Sequence, residues 1–302
     1  MTSLIVFGAV LGSGLFGCGS PEGPRTDGPR TATHAPSRSP AATPSATPSA
    51  PAGALASMPA GRKPPTMAPG PAGLTPVFKR GPRGKTGGAR SHDKVVALTF
   101  DADMTADQGP RAASGERFDN PELIALLRRL KVPSTVFMTG RWAQEYPAQA
   151  RSIGTDPLFE IANHSYRHYA FTSPCYGLPV VEEADMRDDV RRAFAAFRKA
   201  GARNVVPYFR FPGGCYDEAA LRTLASEKVT AVQWDVVSGD AFAKDADAVA
   251  EQVLAGVTPG SLVVMHCTRS AAPVTDEAVK RVVPELRARG YRFVKVSELM
   301  RD

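Results

Sequence analysis

From residue 94 onward, short runs of β-branched and aromatic residues alternate with stretches whose apolar positions recur every three or four residues. The first kind predicts strands over 94–100, 134–138, 159–162, 205–209, 229–234, 261–265 and 292–296. The second predicts helices over 121–131, 142–153, 182–200, 217–227, 247–255 and 275–289. The first of these helices opens on Pro121, where a missing N–H leaves no partner unsatisfied. Strand–helix alternation at this spacing implies a parallel sheet covered by helices. The expectation is an α/β fold, a distorted or incomplete (β/α) barrel of about seven strands, although an open sheet would give the same pattern. In either architecture working residues gather at the carboxyl ends of the strands.

Upstream the pattern disappears. Residues 19–90 hold 15 of the 27 prolines and only two acidic residues, Glu22 and Asp27, in blocks of Ser, Thr, Ala, Pro and Gly. Such composition offers little apolar surface to offset the entropy of ordering, so 19–92 reads as a disordered linker. Ahead of it, Leu4 to Phe16 is an unbroken run of 13 residues without charge. It is shorter than the roughly 20 residues a spanning helix needs and suits a signal peptide. Its end, Leu15-Phe16-Gly17-Cys18, is similar to a bacterial lipobox, which implies export and a lipid anchor at Cys18 on the outer side of the cell membrane. The expected organisation is therefore a leader over 1–18, the linker over 19–92 and a single domain over 93–302.

Charge follows the same division. The chain carries +7 overall, but residues 1–90 hold ten Lys and Arg against two Asp and Glu. The excess belongs to the linker, and the domain gives no electrostatic reason to expect a nucleic-acid partner. Four cysteines occur, at 18, 175, 215 and 267.

Candidate chemistry is concentrated at predicted strand ends. Only three of the five histidines fall in the domain: His164 and His168 after the third strand, and His266 after the sixth. Asp101 and Asp103 follow the first strand, and if it persists they point to one side. Two imidazoles and a carboxylate are an open zinc set with one position left for water. The i, i+4 spacing of His164 and His168 would aim both at one point from a single helical turn. Taken alone, this pair reads equally well as surface or packing histidines. Arg210, alone between Phe209 and Phe211, reads as a cation held for pairing, and Trp234 as core. Asp240 could equally cap the next helix, and the charges of 182–200 read as a solvated helix face.

The ordered combination resembles the NodB-type polysaccharide deacetylases, carbohydrate esterase family four. Five stretches carry it: LTFDAD at 98–103, EIANHSYRH at 160–168, FRFPGG at 209–214, WDVVSGD at 234–240 and LVVMH at 262–266. GYRFVKVSEL at 290–299 is similar to the family's closing strand. The resemblance implies that Asp103, His164 and His168 hold a divalent metal, zinc by default, with cobalt or nickel suited to the same ligands. It further implies Asp101 as general base paired with Arg210, and His266 as general acid supported by Asp240. The Gly213 N–H would be a donor to the oxyanion, and Val264 would line the acetyl pocket. The implied reaction is hydrolysis of N-acetyl groups on an N-acetylglucosamine polysaccharide, whether peptidoglycan, chitin-like or exopolysaccharide. An O-acetyl esterase and a catalytically weak glycan-binding lipoprotein are the alternatives.

The chain departs from the family pattern at four places. Ala102 separates the two aspartates, Val237 stands where the fourth motif has its first Asp, and Ala241 stands in place of its Trp. Phe242 is then expected to cover the acetyl pocket. Gly213 replaces an aromatic residue, so the loop keeps its donor and loses a wall of the cleft. Cys175 and Cys215 follow two of the motifs at one rim, and in an exported chain they can pair. That would leave Cys267 free beside His266. A Cys–His nucleophile is disfavoured there, because neighbours on a strand point to opposite faces.

Overall fold

The fold grows from one strand whose eight residues are all buried. In the computed structural model, which describes residues 63–82 and 94–301, this strand is β2 (Val95–Ala102). β1 (Val77–Phe78) precedes it; β3 (Ser134–Met138), β4 (Phe159–Asn163), β5 (Val205–Phe209), β6 (Thr230–Val232), β7 (Val236–Val237), β8 (Ser261–His266) and β9 (Arg292–Phe293) follow. Period two divides β2 cleanly. Val96, Leu98, Phe100 and Ala102 enter the large core under the helices, while Val95 and Ala97 enter a smaller inner cluster. Thr99 is inward too, donating to the Val263 carbonyl at 2.7 Å, and Asp101 follows it by two residues.

All strand pairs are parallel, in the order β1–β6–β5–β4–β3–β2–β8–β7, with β9 beside the start of β2. β6 and β7 are two pieces of one stretch, interrupted only at 233–235. One piece bonds β5 and the other bonds β8, near the far end of the order. This broken strand curls the sheet into the expected incomplete barrel. The helices that cover it are α1 (Gly109–Ala113), α2 (Pro121–Leu130), α3 (Gly140–Glu145), α4 (Pro147–Thr155), α5 (Met186–Ala200), α6 (Glu218–Leu224), α7 (Ala246–Gly256), α8 (Thr275–Ala288) and α9 (Val296–Leu299). Four of them start on a side-chain cap: Asn120, Thr139, Asp217 and Asp245 each accept from a first-turn N–H. Among the described residues no helix is long and apolar enough to cross a membrane.

Three expectations are corrected. The helix expected over 142–153 is two helices, because Pro147 opens a new one after the extended turn at Tyr146. The strand expected over 292–296 stops at Phe293, and Val296–Leu299 turns into α9. The largest correction concerns the linker, since residues 63–82 are an integral strap of the domain. β1 pairs β6, with Ala231 and Gln233 donating to the Pro76 and Phe78 carbonyls at 2.9 and 2.8 Å. Tyr208 Oη donates to the Pro65 carbonyl at 2.7 Å, and Thr75 donates to the Leu221 carbonyl through both N–H and hydroxyl. Past β1, Arg80 pairs with Asp235 at 3.0 Å, and the Gly81 N–H donates to the Gly260 carbonyl at 2.8 Å. The strap thus runs from β6 to the start of β8, over the seam left by the broken strand. Proline-rich chain orders cheaply because its φ angles are already fixed, and composition averaged over 72 residues hides the two that pair. The leader, Cys18 and the rest of the expected linker, residues 1–62 and 83–92, lie outside the described residues.

Deleting 63–82 from the full chain is expected to lower Tm by roughly 5–10 °C, the scale of a few lost hydrogen bonds and their apolar cover. Calorimetry checks this, and an unchanged Tm would show the strap to be dispensable.

Candidate functional site

The inner face of β2 delivers two carboxylates to the open end of the barrel. Asp101 is the last inward residue of the strand, and Asp103 stands one residue beyond its end, so period two carries both to the same side. The Asp103 backbone is fixed there by its N–H, which donates to Thr268 Oγ1 at 2.8 Å. The interposed Ala102 turns outward into the core.

His164 and His168 follow β4, and no helical turn joins them. Ser165 (φ 69°) and His168 (φ 56°) take left-handed conformations that fold the segment back on itself. Left-handed backbone costs a non-glycine residue about 1–3 kcal/mol, and here it is held by bonds on every side. Ser165 N–H donates to Asn163 Oδ1 at 2.8 Å, Tyr166 N–H to Asp189 Oδ1 at 2.5 Å, and His168 N–H to Ser165 Oγ at 2.9 Å. The first N–H groups of α3, Gly140 and Arg141, donate to the carbonyls of Ser165 and Tyr166 at 3.0 Å each. Only glycine allows that approach, since a Cβ at 140 would sit 2.4 Å from the Tyr166 ring and 2.9 Å from the Ala193 backbone. The two imidazoles end with ring centroids 5.0 Å apart.

Asp103, His164 and His168 bring one donor atom each within 4.8 Å of one another. Asp103 Oδ1 lies 3.3 Å from His164 Nε2 and 3.6 Å from His168 Nε2. Ligands about 2.1 Å from a shared tetrahedral ion stand about 3.4 Å apart, so the spacing suits a cation of zinc size. Two further features agree. Asp103 Oδ1 is buried without a hydrogen-bond partner. His164 donates Nδ1–H to the Arg210 carbonyl at 2.8 Å, which leaves the Nε2 lone pair facing the trio. Electrostatics favour a neutral His168 and a charged Asp103. Burial pushes His168 down to about 4 against the pull of Asp103. Burial would raise Asp103, but the imidazoles around it, His168 first, hold it well below the usual carboxylate range. His164 is raised, because Asp101 and Asp103 outweigh its burial, so a proton competes with a cation for its Nε2.

Asp101 lies on one side of this trio, its Oδ2 3.7 Å from His164 Nε2. Its Oδ1 accepts from Arg210 Nη1 at 2.6 Å. Arg210 is fully buried at the end of β5, with Nε donating to the Val232 carbonyl at 3.2 Å. Its guanidinium lies over the Phe137 ring at 3.8 Å and the Trp234 ring at 5.3 Å. The expectation that this cation is held for pairing is met.

His266 ends β8 on the other side, with Nε2 4.0 Å from Asp103 Oδ2. Its Nδ1–H donates to Asp240 Oδ1 at 2.8 Å and its backbone N–H to Asp240 Oδ2 at 2.7 Å. Ser238 and Thr275 hydroxyls donate to the same carboxylate at 2.8 and 2.7 Å. Asp240 is thus a buried partner of His266 and caps no helix. Burial opposes the charged imidazolium, yet Asp240 lifts His266 to about 10, with help from Asp103 and Asp101. A cation beside those two aspartates would offset part of that lift.

Gly213 lies three residues past Arg210 in the short turn Pro212–Gly214, with φ 65°. Cys175 and Cys215 form a disulfide with Cα atoms 5.9 Å apart, and a Cβ at 213 would sit 2.6 Å from Cys175 Sγ. Glycine stands there because the bridge fills the space. Val264 is buried on β8 opposite Thr99. Phe242 does not cover a pocket: it is 80% exposed, with its N–H bonded to the Ala271 carbonyl at 2.6 Å. Cys267 is free, buried in the large core and pushed up to about 12 by that burial, which makes it an inert thiol.

Sequence reasoning missed Asp189, grouped with the solvated charges of 182–200. It is 1% exposed, and besides Tyr166 it accepts from Arg167 Nε at 2.8 Å. Its place among buried Met186, Val190 and Ala193 on one face of α5 was the available signal. Thr268, Ser238 and Thr275 carried no signal, since hydroxyls at loop ends are common.

A profile described as polysaccharide deacetylase matches residues 88–232. A chitooligosaccharide deacetylase of Bradyrhizobium sp. is 28% identical over 215 residues, 68% of this chain and 92% of the relative. A peptidoglycan-N-acetylglucosamine deacetylase of Bacillus cereus is 27% identical over 214 residues, 70% of this chain and 90% of the relative. Among solved structures, a mutant of a Bacillus anthracis pseudoenzyme of carbohydrate esterase family four, with restored enzymatic activity, superposes with a TM-score of 0.58 at 25% identity. That superposition covers 74% of this chain and 70% of the other. Motif order, parallel barrel and these relatives agree, and together they support the NodB-type polysaccharide deacetylases of carbohydrate esterase family four as the family that residues 88–232 match.

Proposed function

We propose that this protein hydrolyses N-acetyl groups on an N-acetylglucosamine-containing extracellular or cell-wall polysaccharide, releasing acetate and a free amine. One observation carries the reading. A carboxylate clamped by a buried arginine and an imidazole clamped by a buried aspartate stand on opposite sides of a three-ligand set. Asp103, His164 and His168 would hold a divalent cation, zinc by donor chemistry, and when bound it would supply Lewis acidity toward the acetyl carbonyl and water.

The chain's own groups do the rest. Arg210 holds the Asp101 carboxylate in place, and Asp101 takes the proton of the attacking water. The Gly213 N–H is the candidate donor to the oxyanion, and Val264 is the candidate wall for the acetyl methyl. His266, held as imidazolium by Asp240, gives its proton to the departing nitrogen, which must leave as an amine. Export with an anchor at Cys18 is part of the proposal. The Cys175–Cys215 disulfide supports it, because such bridges persist in oxidising compartments.

Acetate release from N-acetylglucosamine oligomers and from peptidoglycan, with and without a chelator, tests the reading on the full chain. Release that stops on chelation and returns with zinc is expected. Release from O-acetylated glycan alone would select an esterase, and binding without release a glycan-binding protein.

Asp240→Asn removes the charge that lifts His266, and its single oxygen can accept on only one side of the four-donor set. Its acid must be protonated to work, so the alkaline limb of the kcat–pH profile is expected to move to lower pH. At neutral pH kcat is expected to fall roughly 10²-fold. An unmoved limb would take the proton-donor role from His266.

A further inference from the structure

We propose that Tyr176 is a sugar-stacking residue that fixes the pyranose next to the one being deacetylated; this rests on the glycan reading above. Single exposed aromatics are ordinary, so exposure alone says nothing. Tyr176 combines exposure with two unusual constraints. It is 88% exposed, the most exposed of the large apolar side chains among the described residues. It also has a positive φ of 48°, and Gly177 after it has φ 75°.

Seven non-glycine residues among those described have positive φ. Lys131 and Lys228 end helices and Ala72 lies in a short turn, places where the left-handed conformation closes the backbone. Ser165 and His168 shape the metal-ligand loop. Phe242 lies in the loop past Asp240, outside the metal-ligand loop. Tyr176 and Gly177 are the central residues of a turn closed by Leu178 N–H, which donates to the Cys175 carbonyl at 2.9 Å and fixes the Tyr176 backbone at the tip of its loop.

The second constraint is covalent. Cys175, its neighbour, is bonded to Cys215, and the loop is clipped at its base by Ala170 and Val180. Ala170 N–H donates to the Pro179 carbonyl at 2.8 Å, and Val181 N–H to the Ala170 carbonyl at 2.9 Å. The pinned loop lies against the turn that follows Arg210, where the Cβ position of Gly213 is 3.3 Å from Tyr176 Cδ2. The Tyr176 backbone is therefore held beside the loops carrying His168 and Arg210, with its ring left to solvent. The C–H face of a pyranose is apolar while its rim is hydroxylated, and it matches such a ring. Tyrosine, with only two side-chain torsions, also binds with little loss of side-chain entropy.

Tyr176→Ala is expected to raise KM for a tetrameric N-acetylglucosamine oligomer about tenfold, the weight of one stacked ring. The loss should shrink as the oligomer shortens, and Tyr176→Phe should restore KM. Tyr176→Trp provides a readout independent of turnover, because its emission should shift and saturate as oligomer is titrated in. Wild-type KM in Tyr176→Ala at every length, or Trp emission indifferent to saturating oligomer, would overturn the proposal. If no glycan yields acetate but the emission titrates, deacetylation fails as the function and the platform stands.

Discussion

Asp101→Asn is expected to retain its metal and lose turnover by roughly 10²–10⁴-fold, the span of a missing general base. The amide oxygen can still accept from Arg210 Nη1, so the 2.6 Å contact that orders the loop has a neutral substitute. What disappears is the basicity needed to take a proton from water. Arg210 is then a buried cation facing an uncharged group, and breaking a buried ion pair outright costs about 3–5 kcal/mol. A lower Tm should accompany the kinetic loss. Measuring kcat at saturating zinc, metal content and Tm on one preparation separates the two effects. A variant that turns over at the wild-type rate would remove Asp101 from the reaction.

Asp103→Ala should show the opposite signature. Its Oδ1 is the atom common to both imidazole contacts, at 3.3 and 3.6 Å, and the only carboxylate oxygen in the three-donor set. Outer partners of metal ligands are worth about 10–100-fold in affinity, so loss of a ligand itself should exceed about a hundredfold. The protein is expected to emerge from dialysis without bound divalent ion and to recover little activity when zinc is added. Inductively coupled plasma spectrometry of the dialysed protein checks it. Metal loss in Asp101→Asn and retention in Asp103→Ala would mean that the two aspartates have exchanged roles. Their side-by-side placement on one face of β2, within reach of the same His164 Nε2, makes that the sharpest alternative.

The sites of chemistry were readable because histidines are few in the domain and, with the other candidates, fall at strand ends. Three histidines, a lone arginine between phenylalanines and two aspartates after a strand all converge on one centre. The manner of convergence was not readable. An i, i+4 pair suggests a helix, yet His164 and His168 meet through left-handed Ser165 and His168. That backbone is stable only because Asn163, Asp189 and the start of α3 satisfy it from elsewhere. Asp189 was misread because a charge on a helix is usually solvated, and only the packing of α5 against the histidine loop buries it.

The family resemblance named the candidate ligands; local pattern by itself determined the alternation of strands and helices, the parallel sheet and the end of the strands where reaction chemistry gathers. Each of these depends on periodicity or residue type within a few positions of the chain. Tertiary structure alone decided the broken strand β6–β7 that curls the sheet, the strap 63–82 along its seam and the hydroxyls around Asp240. Those features join residues far apart in sequence. Their stability comes from burying partners together, which no local stretch of the chain encodes.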